Sequence, residues 1–284
     1  MKPRRTGKSA EVARALASVH RERREQRARE RVVRRARSLG WLDASAFGYR
    51  MPSAAALLHD AEWVRETPDH ACWRCGVTRV PFEDVAAGCA ECRDRVMACG
   101  GVPIHGVVRL GRYAPPLSQW VPAIKQRAWR DMGVTLGREL GLQVLDAVAT
   151  GRIPKPDEVV SVPVHWLRRM LRGIDHARTI ADEAARVLGV PCSAALRVPL
   201  ARRQTGGSRE GRLDNRRRFD RGGSPLMVPK GVVLVVDDVR TTGGTMRDAA
   251  SALAEQGAVG FVMAACAVAD PPSRASLRQN VDKF

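Results

Sequence analysis

Val232-Val-Leu-Val-Val-Asp-Asp-Val-Arg-Thr-Thr-Gly-Gly-Thr-Met246 is the stretch on which the reading of this chain turns. Its apolar opening, Val232 to Val236, predicts a buried strand, and two adjacent carboxylates, Asp237 and Asp238, close it. A turn of hydroxyls and glycines follows. Met246, Ala249, Ala250 and Leu253 then recur at the i, i+3, i+4, i+7 spacing of one helix face. Open α/β sheets hold phosphorylated ligands where a strand feeds such a turn and helix, outside the carboxyl end of the strand. Successive N–H groups of Thr241, Thr242, Gly243, Gly244 and Thr245, backed by a helix N-terminus, suit a phosphate dianion. Asp237 and Asp238 suit ribose hydroxyls or a hydrated Mg2+.

Outward from this stretch the pattern alternates. Val159 to Val164 predicts a strand, Ile174 to Leu188 a helix, Ala195 to Leu200 an extended piece and Val259 to Val268 another strand. Strands alternating with helices predict a parallel sheet with helical cover, the α/β class. Upstream, Val107 to Tyr113 reads as extended. Helical periodicity follows around Trp120 to Ala128 and again from Leu136 to Val148, before a turn-rich link at Gly151 to Pro156. Residues 9–40 read as helix with too few apolar positions for a buried face, and a short helical pattern spans Ala54 to Val64.

The 284 residues are enough for one α/β domain and a small accessory module. No segment approaches the roughly 20 apolar residues that span a bilayer, and no apolar region follows the basic start. The expected location is therefore the cytoplasm. Net charge is +18, and residues 1–40 hold 14 Lys/Arg against 4 Asp/Glu, an excess of 10. A basic arm of this kind fits either a nucleic-acid partner or a solvated tail. If the partner is nucleic acid, contact is through phosphates, because residues 1–40 contain no aromatic side chain to stack on bases.

Three further constellations carry chemistry. Arg168, Arg169 and Arg172, with Gly173, follow the Val159 strand in a basic turn. Guanidinium groups there can bind a pyrophosphate through directional, charge-assisted hydrogen bonds, or form a solvated turn. The Arg- and Gly-rich run from Arg202 to Phe219 is too charged for a core element. Its composition fits a lid over the phosphate site, a nucleic-acid contact or plain disorder. Cys72-x-x-Cys75 and Cys89-x-x-Cys92, 13 residues apart, have the spacing of a four-cysteine zinc ribbon. Four thiolates would close the coordination sphere around a structural Zn2+ and staple a segment too short to make its own core. Buried free thiols or a redox pair are the alternatives.

The acid pair with Thr241-Thr242-Gly243-Gly244-Thr245 closely resembles the phosphoribosyl pyrophosphate (PRPP) signature of type I phosphoribosyltransferases. Val162-Pro-Val, Arg172-Gly173 and the His-Ala that follows are similar to the ComF/GntX-type branch. So are the loop Gln204-x3-Ser208-x3-Arg212-x2-Asn215-x3-Phe219 and the helical region ending in Ala123-Ile-Lys125. The likeness covers roughly residues 72–268. It implies a type I phosphoribosyltransferase fold at 102–270 behind a zinc ribbon at 69–101; composition gives a basic, Arg-rich, partly helical or disordered extension at 1–68 and a flexible tail at 271–284. It also implies transfer of 5-phosphoribosyl from Mg2+–PRPP to a nitrogen acceptor. In that scheme Thr241 to Thr245 hold the 5-phosphate, and Asp237 and Asp238 are the catalytic acids that place the ribose and Mg2+. Arg168, Arg169, Arg172 and Gly173 meet the pyrophosphate, while Gln204, Arg212 and Asn215 belong to the lid. The family's association with DNA uptake implies a second role, a nucleic-acid-binding competence factor that keeps the pocket as a ligand sensor. Two departures stand out. Only Cys99 remains where relatives carry a further Cys-x-x-Cys, and Thr241 replaces the Asp that serves as base in hypoxanthine-guanine enzymes, which argues against those acceptors.

Overall fold

A computed structural model of the chain describes residues 53–80, 83, 87–93, 95–127, 129–164, 174–198, 219–222, 231–272 and 274. In chain order they form α1 (Ala54–Asp60), β1 (Ala98–Cys99), β2 (Val102–Arg112), α2 (Leu117–Arg127), α3 (Arg130–Ala149) and β3 (Glu158–Ser161). There follow α4 (His176–Leu188), β4 (Cys192–Ser193), β5 (Leu196–Arg197), β6 (Asp220–Arg221), β7 (Val232–Arg240), α5 (Gly244–Ala254) and β8 (Gly260–Val268). Six strands make one sheet in the order β1-β2-β8-β7-β3-β4, and β5 with β6 forms a separate antiparallel pair. Of these six, the short β1 alone runs antiparallel to its neighbour; β2, β8, β7, β3 and β4 are mutually parallel.

Helices cover both faces, and the apolar periodicities explain how. Val121 and Ile124 of α2, Met132, Leu136 and Leu140 of α3, and Ile180 and Leu188 of α4 pack against Val108, Leu110, Leu234, Val236 and Val262. On the other face Met246, Ala249, Ala250 and Leu253 of α5 cover Val233, Val235, Phe261 and Met263. The i, i+3, i+4, i+7 stripe of α5 is thus buried residue for residue. Helices α3 and α4 approach closely because Gly137 and Gly141 lack side chains. A Cβ at Gly137 would stand 2.5 Å from the Ile180 carbonyl oxygen, and one at Gly141 would stand 2.7 Å from Val187 Cβ. Helix α4 starts at Asp175, whose carboxylate accepts from the Arg178 N–H at 3.1 Å, and ends at Gly189 in the left-handed region.

Some boundaries differ from the sequence expectation. β7 runs four residues past its apolar core to Arg240, because its parallel register with β8 continues to Val268. α1 stops at Asp60, short of Val64, and Glu62 then takes a positive φ of 47°. α3 begins earlier, at Arg130, since Met132 already faces the core. Helix α1 does not stand apart from the α/β body. The Ala54 N–H donates to Asp131 of α3 at 2.7 Å, and Trp63 packs edge-on against Trp120 with ring centroids 5.8 Å apart. Among the described residues no helix is long and apolar enough to cross a membrane.

Candidate functional site

Two adjoining features at the carboxyl end of β7 carry the chemistry. The first is the turn from Thr241 to Thr245. Gly243 sits in the left-handed region at φ 78° and caps α5. Its carbonyl accepts the Arg247 N–H at 3.0 Å, the first bond of the helix. Thr242 Oγ1 lies 3.4 Å from the Gly244 N–H. The N–H groups of Thr241, Thr242 and Gly243 donate to no acceptor among the described residues, and Thr241, Thr242 and Gly244 are exposed. Free amides at a helix N-terminus form an anion site.

Asp237 and Asp238 stand near the end of β7, with Val239 and Arg240 between them and this turn. Asp237 Oδ1 accepts the Asp238 N–H at 2.9 Å, and Asp238 Oδ1 accepts the Val239 N–H at 2.8 Å. Burial, and then the neighbouring Asp238 charge, push the Asp237 carboxyl up to about 8. Asp238 is buried, and Lys125 of α2 approaches its Oδ2 at 2.6 Å while His176 Nε2 of α4 lies 3.6 Å from the same atom. The sequence places Lys125 in a family-like helical stretch and His176 after Arg172-Gly173, but assigns neither to the site. The available signal is a lysine inside an apolar helix face, next to Ile124. Its partner lies 113 positions along the chain.

The second feature is the cysteine cluster. The sulfurs of Cys72, Cys75, Cys89 and Cys92 all lie within 4.8 Å of one another. Cys72 to Cys92 is 3.4 Å, Cys75 to Cys89 3.5 Å and Cys89 to Cys92 3.3 Å. A tetrahedral Zn2+ with Zn–S bonds near 2.3 Å needs sulfurs about 3.8 Å apart, so a small expansion accommodates the ion. Hydrogen bonding from Cys75 holds the Cys72 thiol down at about 4, the same contact raises Cys75, and burial pushes Cys92 up to about 12. Four sulfurs in one space compete to ionise, and a divalent cation would end that competition.

The module is bonded to the sheet. Val107 N–H donates to the Trp73 carbonyl at 2.7 Å. Arg109, almost fully buried on β2, donates to the Gly76 carbonyl at 2.7 Å, to Thr78 Oγ1 at 2.9 Å and to Glu66 at 2.6 Å. Thr78 in turn donates through its N–H and hydroxyl to Asp270, just beyond β8, at 2.7 and 2.6 Å. Arg274 bonds Glu83, Glu91 and the Thr78 carbonyl.

Arg168, Arg169, Arg172 and Gly173, and the lid residues Gln204, Arg212 and Asn215, lie outside the described residues, as do residues 1–40. Val162, just past β3, lies beside β7 next to the acid pair: its N–H donates to the Val236 carbonyl at 2.8 Å. Phe219, at the end of the expected lid, is buried against Val162 and Leu196 in the core on the α5 side. A separate groove of about 640 Å³ is lined by Trp63, Arg65, Glu139 and Asp146 among others. None of its lining residues belongs to β7, the turn or α5.

A parallel sheet with an acid pair and an anion turn at one strand end defines a phosphoribosyltransferase-type domain, and the family model for the phosphoribosyl transferase domain matches residues 174–284. The chain is 31% identical over 156 residues to Competence protein F of Haemophilus influenzae, covering 53% of this chain and 67% of that protein. It is 28% identical over 187 residues to the DNA utilization protein YhgH of Escherichia coli K12 and to that of Salmonella typhi, covering 66% of this chain and 79% of each relative. The chain belongs to the ComF family of phosphoribosyltransferase-type proteins.

Proposed function

We propose that the protein is a pentosyltransferase that moves 5-phosphoribosyl from Mg2+–PRPP to an unidentified nitrogen acceptor and releases pyrophosphate. The observation that carries this reading is the pairing of three turn amides, unbonded among the described residues, with two carboxylates near the carboxyl end of the preceding strand. The amides of Thr241 to Thr245 receive the 5-phosphate, and the dipole of α5 adds to their attraction. Asp237 and Asp238 take the ribose hydroxyls and the metal that arrives with the substrate. Lys125 holds the Asp238 carboxylate in place in the free protein, and is released to a phosphate oxygen when the substrate engages that carboxylate. Arg168, Arg169 and Arg172 meet the departing pyrophosphate, and the segment with Gln204, Arg212 and Asn215 closes over it. Positive charge developing at the anomeric carbon is stabilised by position and electrostatics more than by covalent chemistry.

Calorimetry with Mg2+–PRPP tests this. The double variant D237N/D238N is expected to bind at least tenfold more weakly, about 1.4 kcal/mol, since two amides cannot attract the metal as carboxylates do. Unchanged affinity would remove both residues from the site. A panel of nitrogen bases with pyrophosphate release as the readout then identifies the acceptor.

A second reading has its own support. Curated relatives carry the names Competence protein F and DNA utilization protein, and residues 1–40 are strongly basic. On this reading the protein binds nucleic acid through phosphates and uses the pocket to sense PRPP. The intact acid pair argues against a dead pocket, and pyrophosphate release in the presence of an acceptor separates an enzyme from a sensor of PRPP.

A further inference from the structure

Arg240 is the last residue of β7, and three observations meet on it. Its side chain is largely buried, at 8% exposure, and among the described residues it forms no hydrogen bond and no ion pair, so its nitrogens keep only narrow contact with solvent. Its guanidinium also lies under the phosphate turn: a Cβ built on Gly243 would stand 2.8 Å from its Nε and 2.9 Å from one Nη. On its other side is the cysteine module. Arg240 is in register with Val268, and Val268 packs in one cluster with Cys72, Cys75, Cys89 and Cys92. Burial lowers the Arg240 pKa from its ordinary value; negative charge at Cys75, Cys92 and Cys72 pulls it back up, while Arg247 adds to the lowering.

A guanidinium cannot shed its proton, so one this far withdrawn from water favours a counter-charge close by. The four sulfurs are the available counter-charge. As separate thiols they offer little, because they suppress one another's ionisation. As four thiolates around one divalent cation they carry two net negative charges, fixed in place beside Arg240. We infer that Arg240 is a positioning residue that ties the phosphate turn to the metal-loaded cysteine module, so that the module governs how well the turn accepts a phosphate ester. The last clause rests on the proposed use of the turn; the tie itself does not.

The physical sequence is short. The loaded cluster draws the guanidinium against the module, and the flat guanidinium becomes the floor under Gly243. Gly243 then stays in its left-handed conformation, and the amides of Thr241 to Gly243 converge. Without the cluster's charge the guanidinium must turn toward solvent, and Gly243 loses that floor. By linkage, a ligand that needs the ordered turn must tighten zinc binding by the factor by which zinc tightens the ligand.

Two measurements on the full chain test the tie. The first needs no ligand. Hydrogen exchange is followed at the Arg247 amide, whose bond to the Gly243 carbonyl reports whether Gly243 holds its place. R240M with zinc, and wild type stripped of zinc, are expected to exchange at least tenfold faster there than zinc-loaded wild type, with R240K within about threefold of it. Unchanged exchange in the stripped protein overturns the proposal even where R240M does not fold, and faster exchange supports it only where amides of α3 and α4, away from the turn, keep their protection. The second follows zinc release to a chelator with and without Mg2+–PRPP. PRPP is expected to slow release about tenfold in wild type and less than about twofold in R240M. Equal slowing in both, or none in a wild type that binds PRPP, also overturns it. A wild type that does not bind PRPP refutes the proposed substrate, and the exchange experiment still judges Arg240.

Discussion

Beside the cysteine module Arg109, Thr78 and Asp270 interlock in one chain of hydrogen bonds, whereas in the phosphate turn three successive amides meet no acceptor among the described residues. The two regions adjoin at Arg240. The module has almost no core of its own: among the described residues Val77 is its one buried aliphatic side chain beside the cysteines, with Ala265 and Val268 lent by β8. Its order leans on polar links to the sheet, and the cysteine cluster is one that a metal ion could staple. The turn stands on a dense core, Val233, Val235, Met246 and Leu253 beneath it, and so can leave polar groups unsatisfied. Binding sites occur where the surrounding core is strong enough to hold unpaired groups in position. A stapled module supplies support and charge instead.

Removing the zinc ligands attacks this contrast most directly. A Cys75→Ser, Cys89→Ser protein is expected to purify without zinc and to lose its module. Sequence spacing alone suggests that the rest of the protein is largely spared, because a ribbon draws its folding energy from its own metal. The structure argues for a wider loss. Arg109 would keep Glu66 but lose its Gly76 and Thr78 partners, and losing hydrogen bonds to a buried charged group costs on the order of 1.5–3 kcal/mol. Melting midpoints of the α/β body decide between them. A midpoint unchanged by zinc loss would show the module to be an independent appendage.

The opposite arm of the comparison is tested by pH. Asp237 is raised to about 8 in the folded protein, above the ordinary carboxylate value of 3.8. A raised folded value favours the protonated form, so its contribution to stability is complete below about pH 4 and is lost as pH rises through about 8. D237N keeps a neutral group throughout. Its melting midpoint relative to wild type is therefore expected to rise from about pH 5 to about pH 9, in the absence of divalent cations. Parallel pH curves for the two proteins would mean that Asp237 is already ionised and the site is less strained than its burial indicates. Mg2+–PRPP should release a proton from Asp237 on binding near neutral pH, which calorimetry in buffers of different ionisation enthalpy measures.

How much of this was legible in the sequence follows from the range of each interaction. Strand β7, its turn and α5 were readable because apolar run, acid pair, glycine and helix stripe are all local, and each side chain lies where its own spacing puts it. The four-cysteine cluster was readable because two short knuckles carry it. The Lys125–Asp238–His176 grouping was not, since it joins α2, β7 and α4 through the fold. Arg240 reads from the sequence as part of a turn. Its burial depends on β8 extending the register to Val268 and on a cysteine module more than 140 residues upstream, which no local pattern encodes.

The smallest expected effect on the folded body comes from deleting residues 1–40. The acid pair, the turn and Lys125 all lie beyond that segment, so affinity for Mg2+–PRPP and the melting midpoint should stay as they are. Nucleic-acid binding should not. With an excess of 10 positive charges and no aromatic residue, the arm can hold DNA only through phosphates. Full-length protein is therefore expected to show little sequence preference and to lose affinity with salt by roughly 0.7–0.9 log units per log salt for each phosphate neutralised. A protein beginning at Trp41 should lose most of that binding. If it binds single- and double-stranded DNA as tightly as the full chain, the Arg202–Phe219 segment becomes the contact, and the region proposed as a lid takes on a second role. If neither protein binds DNA at moderate salt, the basic arm is a solvated tail, and the comparison narrows to the phosphate turn and the module that supports it.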